Sequence, residues 1–155
     1  MGFRISGLPL ESFQPLLTLD AAGLEAAGVV DFIVEDEHTW PCRVSLQDAV
    51  RGERVLLLDF RHQPAKSPYA ASGPIVVRRD AAQACVAVDE VPAQQRNRLL
   101  AVRAFDARDW IVGGEVAPGT DLEAVIGRLF ADPRVDYLHL HNARYGCYAA
   151  RVDRA

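Results

Sequence analysis

The residues best suited to chemistry gather near the C-terminus, in Tyr137-Leu138-His139-Leu140-His141-Asn142-Ala143-Arg144-Tyr145-Gly146-Cys147-Tyr148. Two of the four histidines and one of the three cysteines fall within this stretch. Side chains alternate along a strand, so a His-x-His pair aims both imidazoles to one side. Imidazole and thiolate are ligands suited to Zn²⁺, which makes His139 and His141 candidate metal ligands. A nucleophilic alternative uses the same residues. A cysteine beside a histidine can be held as thiolate, with Cys147 as nucleophile, His141 and His139 as its partners, and Arg144 and Arg151 adding positive potential.

Either chemistry needs a hairpin to position it. Residues 137–141 alternate, with Leu138 and Leu140 on one face and Tyr137, His139 and His141 on the other. Residues 147–152 read as the returning strand and residues 142–146 as the connection, where Asn142 and Gly146 tolerate positive φ. That loop length sets His141 opposite Cys147 and His139 opposite Ala149, and directly opposed Cβ atoms lie roughly 4.5–5.5 Å apart. The expected site face is therefore His139, His141 and Cys147, with Ala149 leaving room. Leu138, Leu140, Tyr148, Ala150 and Val152 form the expected core face. A slip of a single residue would turn Cys147 to the apolar side. His62 and Cys42 are the residues elsewhere that could join the cluster.

A third use of these residues is binding without catalysis. Guanidinium is suited to bidentate recognition of carboxylate or phosphate, and Arg43, Arg61, Arg103 and Arg144 stand at strand ends or in loops. Residues 61–74, rich in Pro, Ser, Ala and Gly, read as a long connection of the kind that often carries function. Ser67, Tyr69 and Ser72 there could supply hydroxyls. The candidate ligand-binding set is Arg43, His62, Ser67, Tyr69, Arg103, Asn142 and Arg144, and the expected ligand is a small anionic metabolite. A purely structural or protein-interaction role is the remaining alternative. There is no Walker-type Gly-Lys-Ser/Thr, no Gly-x-Gly-x-x-Gly, no paired Cys-x-x-Cys and no His-Glu-x-x-His.

Composition bounds the rest. A chain of 155 residues with 50% hydrophobic and 25% charged content fits one soluble globular domain over residues 1–155. A net charge of -4 argues against a nucleic-acid surface. No apolar run reaches the roughly 20 residues that span a membrane, and no signal-peptide pattern opens the chain. Three cysteines are too few for a disulfide framework, so a cytoplasmic setting is expected.

The elements that must carry the site read as follows. Residues 3–7 form a short strand. Asp20 caps a helix that Gly28 ends. Residues 29–35 form a strand, and Glu35-Asp36-Glu37 with His38 an exposed turn. Ser45 with Asp48 suggests a short capped helix, and residues 54–60 a central strand. Residues 75–79 and 85–88 read as strands, with Cys85 a core residue. Pro92 opens a helix, and residues 99–105 and 110–116 pair as a hairpin. Thr120 with Glu123 suggests a capping box for a helix over residues 121–130, whose Leu122, Val125, Ile126, Leu129 and Phe130 recur at helical spacing. The expected architecture is a single α+β domain with a mainly antiparallel sheet, three to four short helices and a C-terminal β-hairpin.

Several separated motifs occur in one order: Phe3-Arg4-Ile5-Ser6-Gly7-Leu8-Pro9, Pro41-Cys42-Arg43-Val44-Ser45-Leu46, His62-Gln63-Pro64, Ser67-Pro68-Tyr69, Ser72-Gly73-Pro74-Ile75, Leu100 to Asp106, and His139-Leu140-His141-Asn142-Ala143-Arg144 with Gly146-Cys147. Together they resemble the bacterial domain of unknown function 1203 family across nearly the whole chain. The resemblance implies a stand-alone small bacterial protein and brings no established activity with it. Tyr145 stands where the resemblance leads one to expect a proline.

Overall fold

Strand-forming sequence dominates and folds into two principal antiparallel sheets. The computed structural model describes residues 2–37 and 40–155; His38, in the expected acidic turn, lies outside them. In chain order the elements are β1 (Phe3–Ser6), a 3₁₀ turn at Leu10–Ser12, α1 (Gln14–Leu17), α2 (Ala21–Ala26), β2 (Val30–Ile33), β3 (Trp40–Pro41), β4 (Asp48–Ala49), β5 (Arg54–Gln63) and β6 (Ala71–Arg78). There follow α3 (Ala93–Arg96), β7 (Leu99–Phe105), β8 (Ile111–Pro118), a 3₁₀ turn at Gly119–Asp121, α4 (Leu122–Phe130), β9 (Tyr137–Asn142) and β10 (Tyr148–Arg154). The chain is a single α+β domain whose C-terminal hairpin is β9–β10. Among the described residues, no helix is long and apolar enough to cross a membrane.

The larger sheet has five strands in the order β1-β10-β9-β7-β8, each antiparallel to its neighbours. One of its faces is apolar: Leu100, Val102, Ala104, Leu138, Leu140, Ala150 and Val152 pack under α4 with Leu122, Val125, Ile126 and Phe130. The periodic apolar face of α4 is what buries it there, as its sequence spacing predicts. The smaller sheet, β2-β5-β6, packs Leu56, Leu58, Ile75 and Val77 against Phe13, Leu24, Cys42 and Val44. Its opposite face meets Ala49 and Val34.

Several expectations are corrected. Residues 61–74 are not one long loop: β5 runs to Gln63 and β6 begins at Ala71, leaving only residues 64–70 between them. Pro74 is tolerated in β6, opposite Asp59, because β6 is the edge strand. No helix follows Ser45. Leu46 takes a φ of 53°, and Trp40 and Pro41 instead pair with Ala49 and Asp48. Cys85 lies in irregular chain and is exposed rather than in a buried strand. The Thr120–Glu123 capping box does not form, because Thr120 sits in the 3₁₀ turn and Glu123 pairs with Arg96.

Candidate metal centre

The C-terminal hairpin carries the expected histidines in a different register. Its connection lies one residue later, so that β10 begins at Tyr148, which faces His141. A β-bulge at Ala149 then shifts the phase, setting Ala150 opposite Leu140 and Arg151 opposite His139. The pairings of His141 with Cys147 and of His139 with Ala149 are therefore replaced. Tyr148, expected in the core, joins the histidine face. Ala149 goes to the apolar side, 2% exposed within the main core.

The third participant comes from the other sheet. Along β5 the register breaks between Phe60 and Gln63, and His62 stands within that irregularity near the end of the strand. Its ring stacks on Tyr148 at 5.2 Å between centroids with a tilt of 12°, and lies edge-on to His141 at 5.2 Å. One ring nitrogen from each of His62, His139 and His141 lies within 4.8 Å of one from each of the others. Three points no further apart than this fit around a centre at most about 2.8 Å from each, so closing to the Zn–N length of about 2.0–2.1 Å needs shifts of under an ångström.

Each of these rings has a buried nitrogen without a hydrogen-bond partner: His62 Nδ1, His139 Nδ1 and His141 Nε2. Orphaned buried polar atoms are costly and call for an explanation. The other nitrogen of His141, Nδ1, sits 2.9 Å from the Gly146 carbonyl. A carbonyl can only accept, so Nδ1 carries the proton and donates, which leaves the Nε2 lone pair free for a ligand bond. Gly146 supports this with a φ of 81°, where a glycine is needed.

Burial holds the rings neutral. Desolvation lowers His139 to about 3, assisted by the charges of His141, Arg151, His62 and Arg103. It lowers His141 to about 4 against the opposing pull of the Gly146 carbonyl. His62, half-buried, is lowered chiefly by burial and then by Arg103. Metal binding requires neutral imidazole, so the three rings stand in the ligating state at neutral pH.

Aromatic packing fixes the rings in place. Phe105, Tyr137 and Tyr148 lie 5.1–5.2 Å from His139. The Tyr137 hydroxyl donates to Asp109 at 2.6 Å and accepts from Gln63 Nε2 at 2.8 Å, tying the β7–β8 turn and the end of β5 to the hairpin. Burial and the Asp109 carboxylate push that phenol up to about 12. Burial likewise raises the Tyr148 phenol.

The remaining expected site residues are distributed unevenly. Arg103 is opposite His139 on β7, on the histidine face. Arg43 is 3% exposed and spends its donors on backbone, giving Nε to the Tyr148 carbonyl at 2.6 Å and another N–H to the Pro41 carbonyl. Burial pulls its guanidinium down to about 10. It acts behind Tyr148, at the bulge. Ser67 donates to the Asp109 carbonyl at 2.8 Å, and Tyr69 packs edge-on to Trp110, both beside the β7–β8 turn. Asn142 stands opposite Leu100 at the end of β9, and exposed Arg144 lies over the Tyr145 ring. Cys147 is half-buried and is not among the converging donors. Cys42 is buried in the smaller core, where its sulfur accepts from the Ser45 and Arg78 amides.

An α+β domain with a three-imidazole cluster between two sheets is thus the class of protein that fold and site define. A family model described as a protein of unknown function (DUF1203) matches residues 39–154, and the chain belongs to that family. Neither the curated proteins nor the solved structures give a match to it.

Proposed function

We propose that this protein is a metal-dependent small-molecule site, in which His62, His139 and His141 hold one divalent transition-metal ion. The observation that supports it is the convergence of three neutral imidazoles, each with a buried nitrogen that has no other partner. Three imidazoles without carboxylate or thiolate suit Zn²⁺, Cu²⁺ or Ni²⁺, and Zn²⁺ is the choice for a tetrahedral centre. Three protein ligands leave a coordination position open, the arrangement of catalytic rather than structural zinc. Such a position can activate a water or take a ligand directly. A bacterial cytoplasmic setting fits three cysteines that form no disulfide.

Equilibrium dialysis of chelator-stripped protein against Zn²⁺ tests the centre. One ion per chain is expected for the parent, with stoichiometric binding lost in His139→Ala. His62→Ala, at a half-exposed position that folding tolerates better, should lose it equally. A parent that takes up no stoichiometric metal would refute the centre.

A further inference from the structure

Arg103 and Arg151 stand on either side of His139, the first opposite it on β7 and the second opposite it on β10. A guanidinium therefore flanks this imidazole in both directions across the sheet. Arg151 is committed: it pairs with Asp153 at 2.8 Å and lies 3.9 Å over the Tyr137 ring. Arg103 is half-buried, has no carboxylate partner and donates no hydrogen bond among the described residues. None of its nitrogens is sealed from solvent, so its five donors are open to a ligand that arrives beside the rings.

The charge balance points the same way. Three neutral imidazoles leave a divalent ion with its full charge of about +2. No carboxylate belongs to the ligand set, Asp109 and Asp153 are engaged by Tyr137 and Arg151, and exposed Asp59 acts on His62 only through its charge. With Arg103 the centre is short of negative charge. Ala101, opposite His141 and on the same face of β7 as Arg103, contributes only a methyl group beside the rings.

We propose that the open coordination position takes an oxyanion, a carboxylate or phosphate group, with one oxygen on the metal and at least one other on the Arg103 guanidinium. This names the ligand class of the metal centre and rests on that centre being real. The planar fork of Arg103 matches two of the remaining oxygens of a phosphate group, or the one remaining oxygen of a carboxylate. Binding is a ligand exchange, in which the anion displaces metal-bound water and no covalent bond of the ligand breaks.

The test uses Co²⁺-loaded full-length protein and its visible absorption. Sodium acetate and inorganic phosphate are titrated separately, with chloride at matched ionic strength as control. The parent spectrum should shift saturably with acetate, with phosphate or with both, and the more effective anion identifies the group recognised. Chloride should leave it unchanged. Arg103→Gln should keep the Co²⁺ spectrum, showing an intact centre, but need about tenfold or more anion for the same shift. Equal anion dependence in parent and Arg103→Gln would overturn the proposal, as would a metal-loaded parent indifferent to both anions. Failure to take up Co²⁺ at all would remove the centre itself, and the oxyanion site with it.

Discussion

The His62 ring lies 5.2 Å from the His141 ring, although one belongs to the three-stranded sheet and the other to the five-stranded sheet. An ion held by both rings clamps the two sheets together. Binding to the folded state alone at 100 times Kd adds about 2.7 kcal/mol, which for a domain of this size raises Tm by roughly 5–10 °C. Thermal unfolding of chelator-stripped protein with and without added Zn²⁺ should show that rise in the parent. His62→Ala should show none while keeping the metal-free Tm within a few degrees.

Gly146 is the point at which the backbone orients a ligand. Its carbonyl receives the His141 Nδ1 proton at 2.9 Å, and its φ of 81° is strained for any residue with a Cβ. Gly146→Ala should destabilise the fold by about 1–2 kcal/mol and weaken Zn²⁺ binding about tenfold through misorientation of His141. Calorimetric titration of Zn²⁺ checks this. Unchanged affinity would show that the carbonyl does not set the ring.

Arg43 separates a structural from a ligand-contacting role. Its side chain is buried and bonded to the carbonyls of Tyr148 and Pro41. Arg43→Met leaves those carbonyls without their donors and should cost roughly 2–4 kcal/mol in urea unfolding. In the surviving folded fraction, Zn²⁺ stoichiometry should stay at one per chain, because the hydrogen bonds of Arg43 go to backbone and it acts on His141 only through its charge.

In the metal-free protein the buried rings make the fold acid-sensitive. His139 and His141 are held at about 3 and about 4, below an ordinary value of 6.5, first by burial and then by neighbours that include Arg103 and His62. Arg151 on β10 and Arg43 add to this on His139 and His141 respectively. A lowered histidine pKa means the unfolded chain takes up its proton first, so stability falls as pH drops below 6.5. Each such group contributes a slope of about 1.4 kcal/mol per pH unit down to its folded pKa. Urea unfolding in EDTA should lose about 3 kcal/mol between pH 6.5 and pH 5, and His141→Gln should flatten that loss by about half.

Local signals carry much of this architecture. The helix α4 is legible because Leu122, Val125, Ile126 and Phe130 fall at helical spacing and all are buried. The histidines of β9 share a face because strand periodicity puts them there, whatever the partner strand does. The partner's register is not legible. A connection shifted by one residue and a bulge at Ala149 moved Tyr148 to the site and Cys147 away from it, and nothing local marks a bulge between Tyr148 and Ala150. His62 is named by its sequence as a residue that could join, but its true setting is strand. The apolar run of β5 is the signal that a strand leads up to it, but an irregularity between Phe60 and Gln63 and the Pro- and Ser-rich residues that follow mask its extent. Its approach to β9 is a contact between sheets, which no periodicity encodes.

X-ray absorption at the zinc edge of the metal-loaded protein tests the three-imidazole centre most directly. A first shell of three imidazole nitrogens at about 2.0–2.1 Å with one further light atom is predicted, falling to two imidazoles in His62→Ala if any zinc is retained. A sulfur scatterer near 2.3 Å, bringing Cys147 into the shell, or a shell of oxygens alone, would contradict it.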